Sequence, residues 1–293
     1  MFAFCAEPDT LGRAAWFACY LTSGTHLAFY RAFLVVLGLL AVTAPLALAL
    51  GFAGAVAARS RLLPLALLGQ GYTAMVRGIP DIIFFLFVPF AMDQGLEWLR
   101  HQAKCPDWTE PIRRGTEFVV CDAAKLPRSS APEWVHDSYG FALAVVAFAI
   151  VFGAFAANVL SGAMRAVPRG QIETAEAFGM SERQAFRRVL VPQMWIYALP
   201  GLSNLWQILI KATPLLFLLG VEDIVYWARE LGGSKTSIYT YPHGDWRLWY
   251  FLALLVFYLG LTRVSETVLG RLTRRLSRGQ ATLGGQALAA EAG

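Results

Sequence analysis

Six polar residues, Asn158, Ser161, Asn204, Gln207, Lys211 and Thr213, stand inside stretches of sequence that are otherwise apolar. Polar groups at membrane depth are costly and tend to line a solute pathway or to bond one helix to another. Asn158 and Ser161 are three residues apart and share one helix face, so both readings apply to them as a pair. Lys211 fits snorkelling or pairing with another subunit better than solute contact. Arg77 and Asp81 lie four apart beside Pro80 and read as a structural ion pair next to a bend. The chemistry these groups offer is contact with a solute. His26, His101, His136 and His243 are scattered over expected loops without metal-ligand spacing, and neither a Gly-x-Ser-x-Gly turn nor a phosphate loop is present. No metal site and no catalytic group are expected.

A second set of residues lies at 169–200, reading RGQIETAEAFGMSERQAFRRVLVPQMWIYALP. Glu173, Ala175, Ala177 and Phe178 belong to a short helix that Gly179 can end, because glycine tolerates the left-handed conformation used at helix C-termini. Ser181 then suits the N-cap of a second short helix with Glu182 in its first turn. Arg183, Arg187 and Arg188 follow, and Pro192 is expected to stop the run. Two short helices joined by a glycine turn, with an exposed Phe, make a plug rather than a linker.

The elements that must position these residues follow from composition. The chain has 293 residues, is 57% hydrophobic and only 15% charged, with a mean hydropathy of +0.50. A soluble domain carries roughly 25% charged residues, so the apolar excess must face a bilayer. Disorder, collagen-like repeats and coiled coil are excluded by the same arithmetic. A net charge of +5 does not indicate nucleic acid, because Lys and Arg are spread over short segments between apolar stretches. We expect an all-α integral membrane protein with about five spans, near 32–58, 64–92, 138–164, 193–221 and 246–262. The second span should be one long helix bent near its middle by Pro80. Residues 1–26 form an N-terminal interfacial segment without the pattern of a cleaved signal, 93–137 a long polar loop, and 269–293 a tail. Gly153, Ala154, Ala156, Ala157 and Gly162 give the third span small residues for close packing. Basic residues favour, by a modest margin, a cytoplasmic C-terminus and a cytoplasmic 165–192 segment, with the N-terminus and the 93–137 loop in the periplasm. Cys105 and Cys121 then sit where a disulfide is plausible, while Cys5 and Cys19 pair or stay free.

Glu173-Thr174-Ala175, Gly179 six residues after the Glu, and Val189-Leu190-Val191-Pro192 resemble the EAA loop of permease subunits of ATP-binding-cassette importers. That pattern is Glu-Ala-Ala, three residues, Gly, nine residues, then Ile-x-Leu-Pro; Thr174, Val189 and Val191 are small departures in shape. Arg77-Gly78-Ile79-Pro80-Asp81 is similar to a signature of the polar amino acid uptake branch. The stretches 167–171, 197–201, 211–213 and 220–223 are similar to the histidine/arginine/ornithine permease subunits. The resemblance covers roughly 27–268 apart from the 93–137 loop, and co-linear motifs of this kind are more specific than any one of them. It implies the type I importer permease fold in the bacterial inner membrane. It also implies an ATPase dimer that engages the EAA loop, a second permease subunit that is either a paralogue or another copy, and a periplasmic substrate-binding protein. ATP and Mg would be held by the ATPase partner, with no cofactor in this chain. Glu173, Ala175, Ala177, Phe178, Gly179, Arg187 and Pro192 would carry the coupling.

One departure bears on the solute. Family members often read Ala-Glu-x-x-Arg-Gly where this chain has Ala157-Asn158-Val159-Leu160-Ser161-Gly162. Losing acid and base together avoids an unpaired buried charge, so this face is expected to be neutral and a cationic substrate is put in doubt. The competing classes are a secondary carrier or channel and an intramembrane enzyme. The absence of two related halves speaks against the former and the lack of a catalytic constellation against the latter.

Overall fold

The computed structural model describes residues 5, 7, 10–75, 80–115, 117–219 and 221–276. Its elements are α1 (Arg13–Leu21), α2 (Gly24–Ala57), α3 (Leu63–Met75), α4 (Asp81–Lys104), α5 (Glu133–Ala166), α6 (Arg169–Ala177), α7 (Glu182–Ala185), α8 (Val191–Ala212), α9 (Ile224–Gly232) and α10 (Arg247–Leu276). A π-helical turn, Phe186–Leu190, joins α7 to α8, and a 3₁₀ segment, Thr213–Leu219, follows α8. One two-residue hairpin pairs β1 (Arg113–Arg114) with β2 (Glu117–Phe118).

Four of the described helices are long and apolar enough to cross a bilayer: Gly24–Ala57, Ile82–Lys104, Glu133–Ala166 and Arg247–Leu276. The remaining expected span, 193–221, corresponds to α8 and the 3₁₀ segment. At 22 residues α8 is long enough, but Gln193, Asn204, Gln207 and Lys211 dilute its apolar character. The other helices overrun their expected ends. Two of them have 34 residues, about 50 Å against a hydrocarbon core of about 30 Å. Spans drawn by absence of charge mark the hydrocarbon and miss the turns that continue into water. Thus α4 takes in 93–104, which the sequence reading gave to a loop, and α10 runs to Leu276, into the expected tail. The second expected span is two helices: α3 ends at Met75, and α4 starts after Pro80, whose φ of −57° and ψ of 136° are not helical. Residues 76–79, which include Arg77, and the side chain of Asp81 lie outside the described residues, and with them the expected Arg77–Asp81 pair.

The chain divides into two compact units, Met1–Pro45 with Ile79–Val151 and Ala212–Phe257, and Leu46–Gly78 with Phe152–Lys211 and Tyr258–Gly293. In the first, Cys5 and Cys19 form a disulfide that closes the N-terminal segment onto α1, with a Cα–Cα distance of 5.6 Å. Trp16, Tyr20, Tyr241 and Trp246 cluster around it. The Tyr20 hydroxyl meets Tyr250 Oη at 2.9 Å and His243 Nε2 at 3.2 Å. Tyr250 Oη in turn meets His26 Nε2 at 2.6 Å, and His26 Nδ1 meets Ser23 Oγ at 3.1 Å. A second disulfide, Cys105–Cys121, closes the connection between α4 and α5 over buried Val120 and Ala124. Asp223 caps α9 by accepting from the Val225 and Tyr226 N–H groups at 3.1 and 2.9 Å.

In the second unit α2 lies directly against the small residues of α5. A Cβ on Gly51 would sit 2.6 Å from Ala156 Cβ and 3.0 Å from the Gly153 carbonyl oxygen, so glycine is required for the two backbones to approach this closely. Ala154, Ala156 and Ala157 are buried as expected. Gly162 is different: nothing lies within 4 Å of where its Cβ would be. The core of this unit gathers Ala55, Leu160, Ala163, Met164, Val167, Leu190, Met194 and Ala198.

Candidate coupling segment and solute cavity

The 165–192 segment is built almost entirely from local backbone logic. At the C-terminus of α6, Met180 N–H donates to the Ala175 carbonyl at 3.1 Å and Gly179 N–H to the Glu176 carbonyl at 2.9 Å. This double bond pattern needs a left-handed residue after the cap, and Gly179 supplies it with φ +84°. The chain then turns into Ser181, whose N–H donates to Gln184 Oε1 at 2.9 Å, the reciprocal half of a capping box. Ser181 is the N-cap that the sequence indicates; the contribution of Gln184, three residues on, was not anticipated. Ala175, Ala185 and Leu190 are buried, and Ile172 and Phe186 pack on the core of the second unit. Glu173, Ala177, Arg187 and Pro192 remain exposed, and Phe178 presents 84% of its surface. Exposed Arg61, between α2 and α3, pairs with Glu182.

Pro192 does not stop the run. Helical winding continues from Glu182 through Ala212, because the segment ahead of Pro192 widens into the π turn, with Val191 N–H donating to the Phe186 carbonyl. A turn of i→i−5 pitch accommodates a proline ring and its missing donor where an unbroken α-helix would clash.

The six polar candidates divide. Asn158 and Ser161 line one cavity of about 580 Å³ in the second unit, together with Arg59, Gln70, Thr73 and Arg165. Ser161 is buried, and its Oγ has no hydrogen-bond partner. Among the described residues Ser161 makes no helix-to-helix bond, and the face is not neutral, because two arginines line it. Sequence reasoning assigned both arginines to topology alone. The usable signal was the spacing of Asn158, Ser161 and Arg165 at i, i+3 and i+7, which is one helical stripe. Asn204, Gln207 and Lys211 lie on α8, where Gln207 Nε2 donates to Glu266 Oε1 at 3.4 Å and Asn204 and Lys211 are exposed. Thr213 is fully buried at the start of the 3₁₀ segment, in the first unit.

Three of the four histidines are not in loops: His26, His101 and His136 lie on α2, α4 and α5, while His243 sits in the connection between α9 and α10, bridged to Lys235. His101 Nδ1 accepts the Cys121 N–H at 3.1 Å, and ligand atoms of His101, Cys105 and Cys121 lie within 4.8 Å of one another. The two sulfurs are joined in the disulfide, so neither is a thiolate for a metal. Near α9, burial pushes the Asp223 carboxyl up to about 6 despite two backbone donors. Burial, with Asp137 and Glu133 nearby, also raises Glu222.

Comparison with known proteins extends this geometry. The family of binding-protein-dependent transport system inner membrane components matches residues 50–278. The histidine/lysine/arginine/ornithine transport system permease protein HisQ of Salmonella typhimurium strain LT2 is 33% identical over 247 residues, 84% of this chain and 92% of the relative. The arginine ABC transporter permease protein ArtQ of Escherichia coli K12 is 32% identical over 244 residues, 83% and 92% of the two chains. A crystal structure of an amino acid ABC transporter with histidines superposes with a TM-score of 0.60 at 20% identity, covering 91% of this chain and 99% of the other, and shares the fold.

Proposed function

Because this chain belongs to the family of binding-protein-dependent transport system inner membrane components, we propose that it moves a polar amino acid or a close relative from periplasm to cytoplasm. It is a multi-pass inner-membrane permease subunit of an ABC importer and not an enzyme. Family membership brings an ATPase and a substrate-binding protein as partners in general; the finer assignment is an ATPase dimer holding ATP and Mg, and a second permease subunit, paralogue or copy. The solute class is supported by the names of the relatives, which transport histidine, lysine, arginine and ornithine in one case and arginine in the other.

The observation that carries the coupling role is the shape of 165–192. A protrusion that transmits force must be rigid and anchored to the spans while presenting a contact surface. The left-handed Gly179, the Ser181 cap and the buried Ala175, Ala185 and Leu190 supply the rigidity, and Phe178 with Glu173, Ala177, Arg187 and Pro192 supplies the surface. In this reading ATP binding closes the ATPase dimer and the segment passes the movement to α5 and α8. The orientation places the N-terminus and the 105–132 connection in the periplasm and the C-terminus in the cytoplasm. The two disulfides, Cys5–Cys19 and Cys105–Cys121, support it, since structural disulfides persist in the oxidising compartment. Asn158 and Ser161 are the foremost pathway residues, with Asn204, Gln207, Lys211 and Thr213 behind them.

The test is purification of the chain from its native membrane in mild detergent, with mass spectrometry of what stays bound, followed by import of labelled amino acids into proteoliposomes. A stoichiometric ATPase subunit and ATP-dependent uptake are expected. A folded, monodisperse chain reproducibly lacking an ATPase overturns the reading.

A further inference from the structure

The cavity holding Asn158 and Ser161 has a charge pattern that solute passage by itself does not explain. Arg59, just beyond the C-terminus of α2, and Arg165, in the last turn of α5, both line it, and among the described residues no carboxylate does. Neither arginine makes an ion pair among the described residues. In the same cavity Ser161 Oγ is buried without a hydrogen-bond partner, a state that is costly if left so. The amides of Gln70 and Asn158 line the same space. A water molecule would satisfy the hydroxyl, while Arg59 and Arg165 are both exposed and unpaired among the described residues, so their guanidinium groups are available to a ligand. The set offers many N–H and O–H donors and no anionic acceptor, which matches a group that is negatively charged and accepts several hydrogen bonds.

We propose that this cavity is an oxyanion site, in which Arg59 and Arg165 hold a carboxylate or phosphate group and the Ser161 hydroxyl donates to one of its oxygens. The ligand chemistry is shared by two sources, a carboxylate of the transported solute and the phosphate of an anionic lipid headgroup. Guanidinium pairs bind both through paired N–H donors. A purely structural role for Arg165, opposing the negative end of α5, predicts a contribution to stability that does not depend on which anion is present. The inference rests on the importer reading only for the complex in which it is measured.

The experiment is thermal unfolding of the purified full transporter complex in uncharged detergent. It is titrated with L-glutamate, inorganic phosphate or a short-chain phosphatidylglycerol, each against chloride at equal ionic strength. The expected result is a saturable rise in unfolding temperature. A response to phosphatidylglycerol without one to L-glutamate assigns the lipid phosphate, and a response to L-glutamate assigns the solute carboxylate. Replacing both arginines, Arg59→Gln with Arg165→Gln, is expected to weaken the apparent affinity by about tenfold or more, the loss of a charge-assisted hydrogen bond at each. Ser161→Ala is expected to weaken it by a smaller factor. Should the double variant fail to assemble, Ser161→Ala and Arg59→Lys carry the same comparison. No saturable shift beyond chloride from any of the three anions, or an affinity unchanged in the variants, overturns the proposal. The two readings fail separately. A complex that keeps its ATPase and imports solute but ignores all three anions loses only the oxyanion site, whereas a chain without an ATPase that still responds loses only the importer assembly.

Discussion

The N-terminal cap and the 165–192 segment are both compact pieces outside the expected spans, yet they are held by different kinds of bond. The cap is closed by Cys5–Cys19, by rings stacked around Trp16 and Tyr20, and by a hydroxyl–imidazole chain through Tyr250. The 165–192 segment has no covalent closure. It is shaped by a positive-φ glycine, a capping box and a π turn, and anchored by Ala175, Ala185 and Leu190. In the proposed orientation the first faces the oxidising periplasm, where a fixed lock is available, and the second faces the cytoplasm, where thiols stay reduced. The 165–192 segment therefore draws its rigidity from backbone conformation.

Four measurements bear on this contrast, the largest effect first. Removing the second disulfide with Cys105→Ser and Cys121→Ser, sixteen residues apart, should cost about 3 kcal/mol. It is read as a lower unfolding temperature of the purified complex, with reductant producing at least this loss in the unsubstituted protein and, in the variant, only the part carried by Cys5–Cys19. A reductant-insensitive protein would erase the distinction between the two regions. Asp223 comes next. Its carboxyl titrates near 6 in the folded chain, above its unfolded value, so the folded state holds the extra proton between about pH 4 and 6. Stability at α9 should therefore rise as pH falls through that window and be lower at pH 7 by about 3 kcal/mol. Protection of the α9 amides, taken relative to their intrinsic exchange rate at each pH, should be greater at pH 5 than at pH 7, and Asp223→Asn should flatten the dependence; greater protection at pH 7 instead would contradict the assignment.

The third measurement concerns Gly179→Val, which forces a β-branched residue to φ +84° and should cost roughly 1–2 kcal/mol. ATP-driven import should fall by more than this loss of stability explains, with membrane levels of the chain monitored by immunoblot. Gly179→Asn, which tolerates the same conformation, should recover much of the activity, and normal transport by the Val variant would remove Gly179 from the coupling path. The smallest effect is expected for Ser181→Ala, about 1 kcal/mol from the lost cap. It should appear as faster exchange in α7 without a change at α9.

Much of the 165–192 segment was legible because its determinants are local. Gly179 and Ser181 declare the turn and the second helix within a dozen residues, and the family motif falls on the same positions. The bilayer-spanning character was legible for a similar reason, since long uncharged runs have no other stable environment. Helix ends were not legible, because absence of charge marks the hydrocarbon, whereas α4 and α10 continue for turns beyond it. Pro192 misled because its effect depends on the π turn ahead of it, which local propensity does not announce.

Sequence alone thus determined the class of protein, the presence of long apolar helices, and the glycine turn and second short helix of the 165–192 segment, all of which follow from periodicity and composition over short windows. Only the tertiary structure decided that Tyr20 and His26 meet Tyr250, and that Arg59, Gln70 and Ser161 open onto one cavity. Those groupings join residues from distant parts of the chain. Within the second unit the close approach of α2 and α5 at Gly51 depends on contacts between distant segments, and no local pattern encodes it.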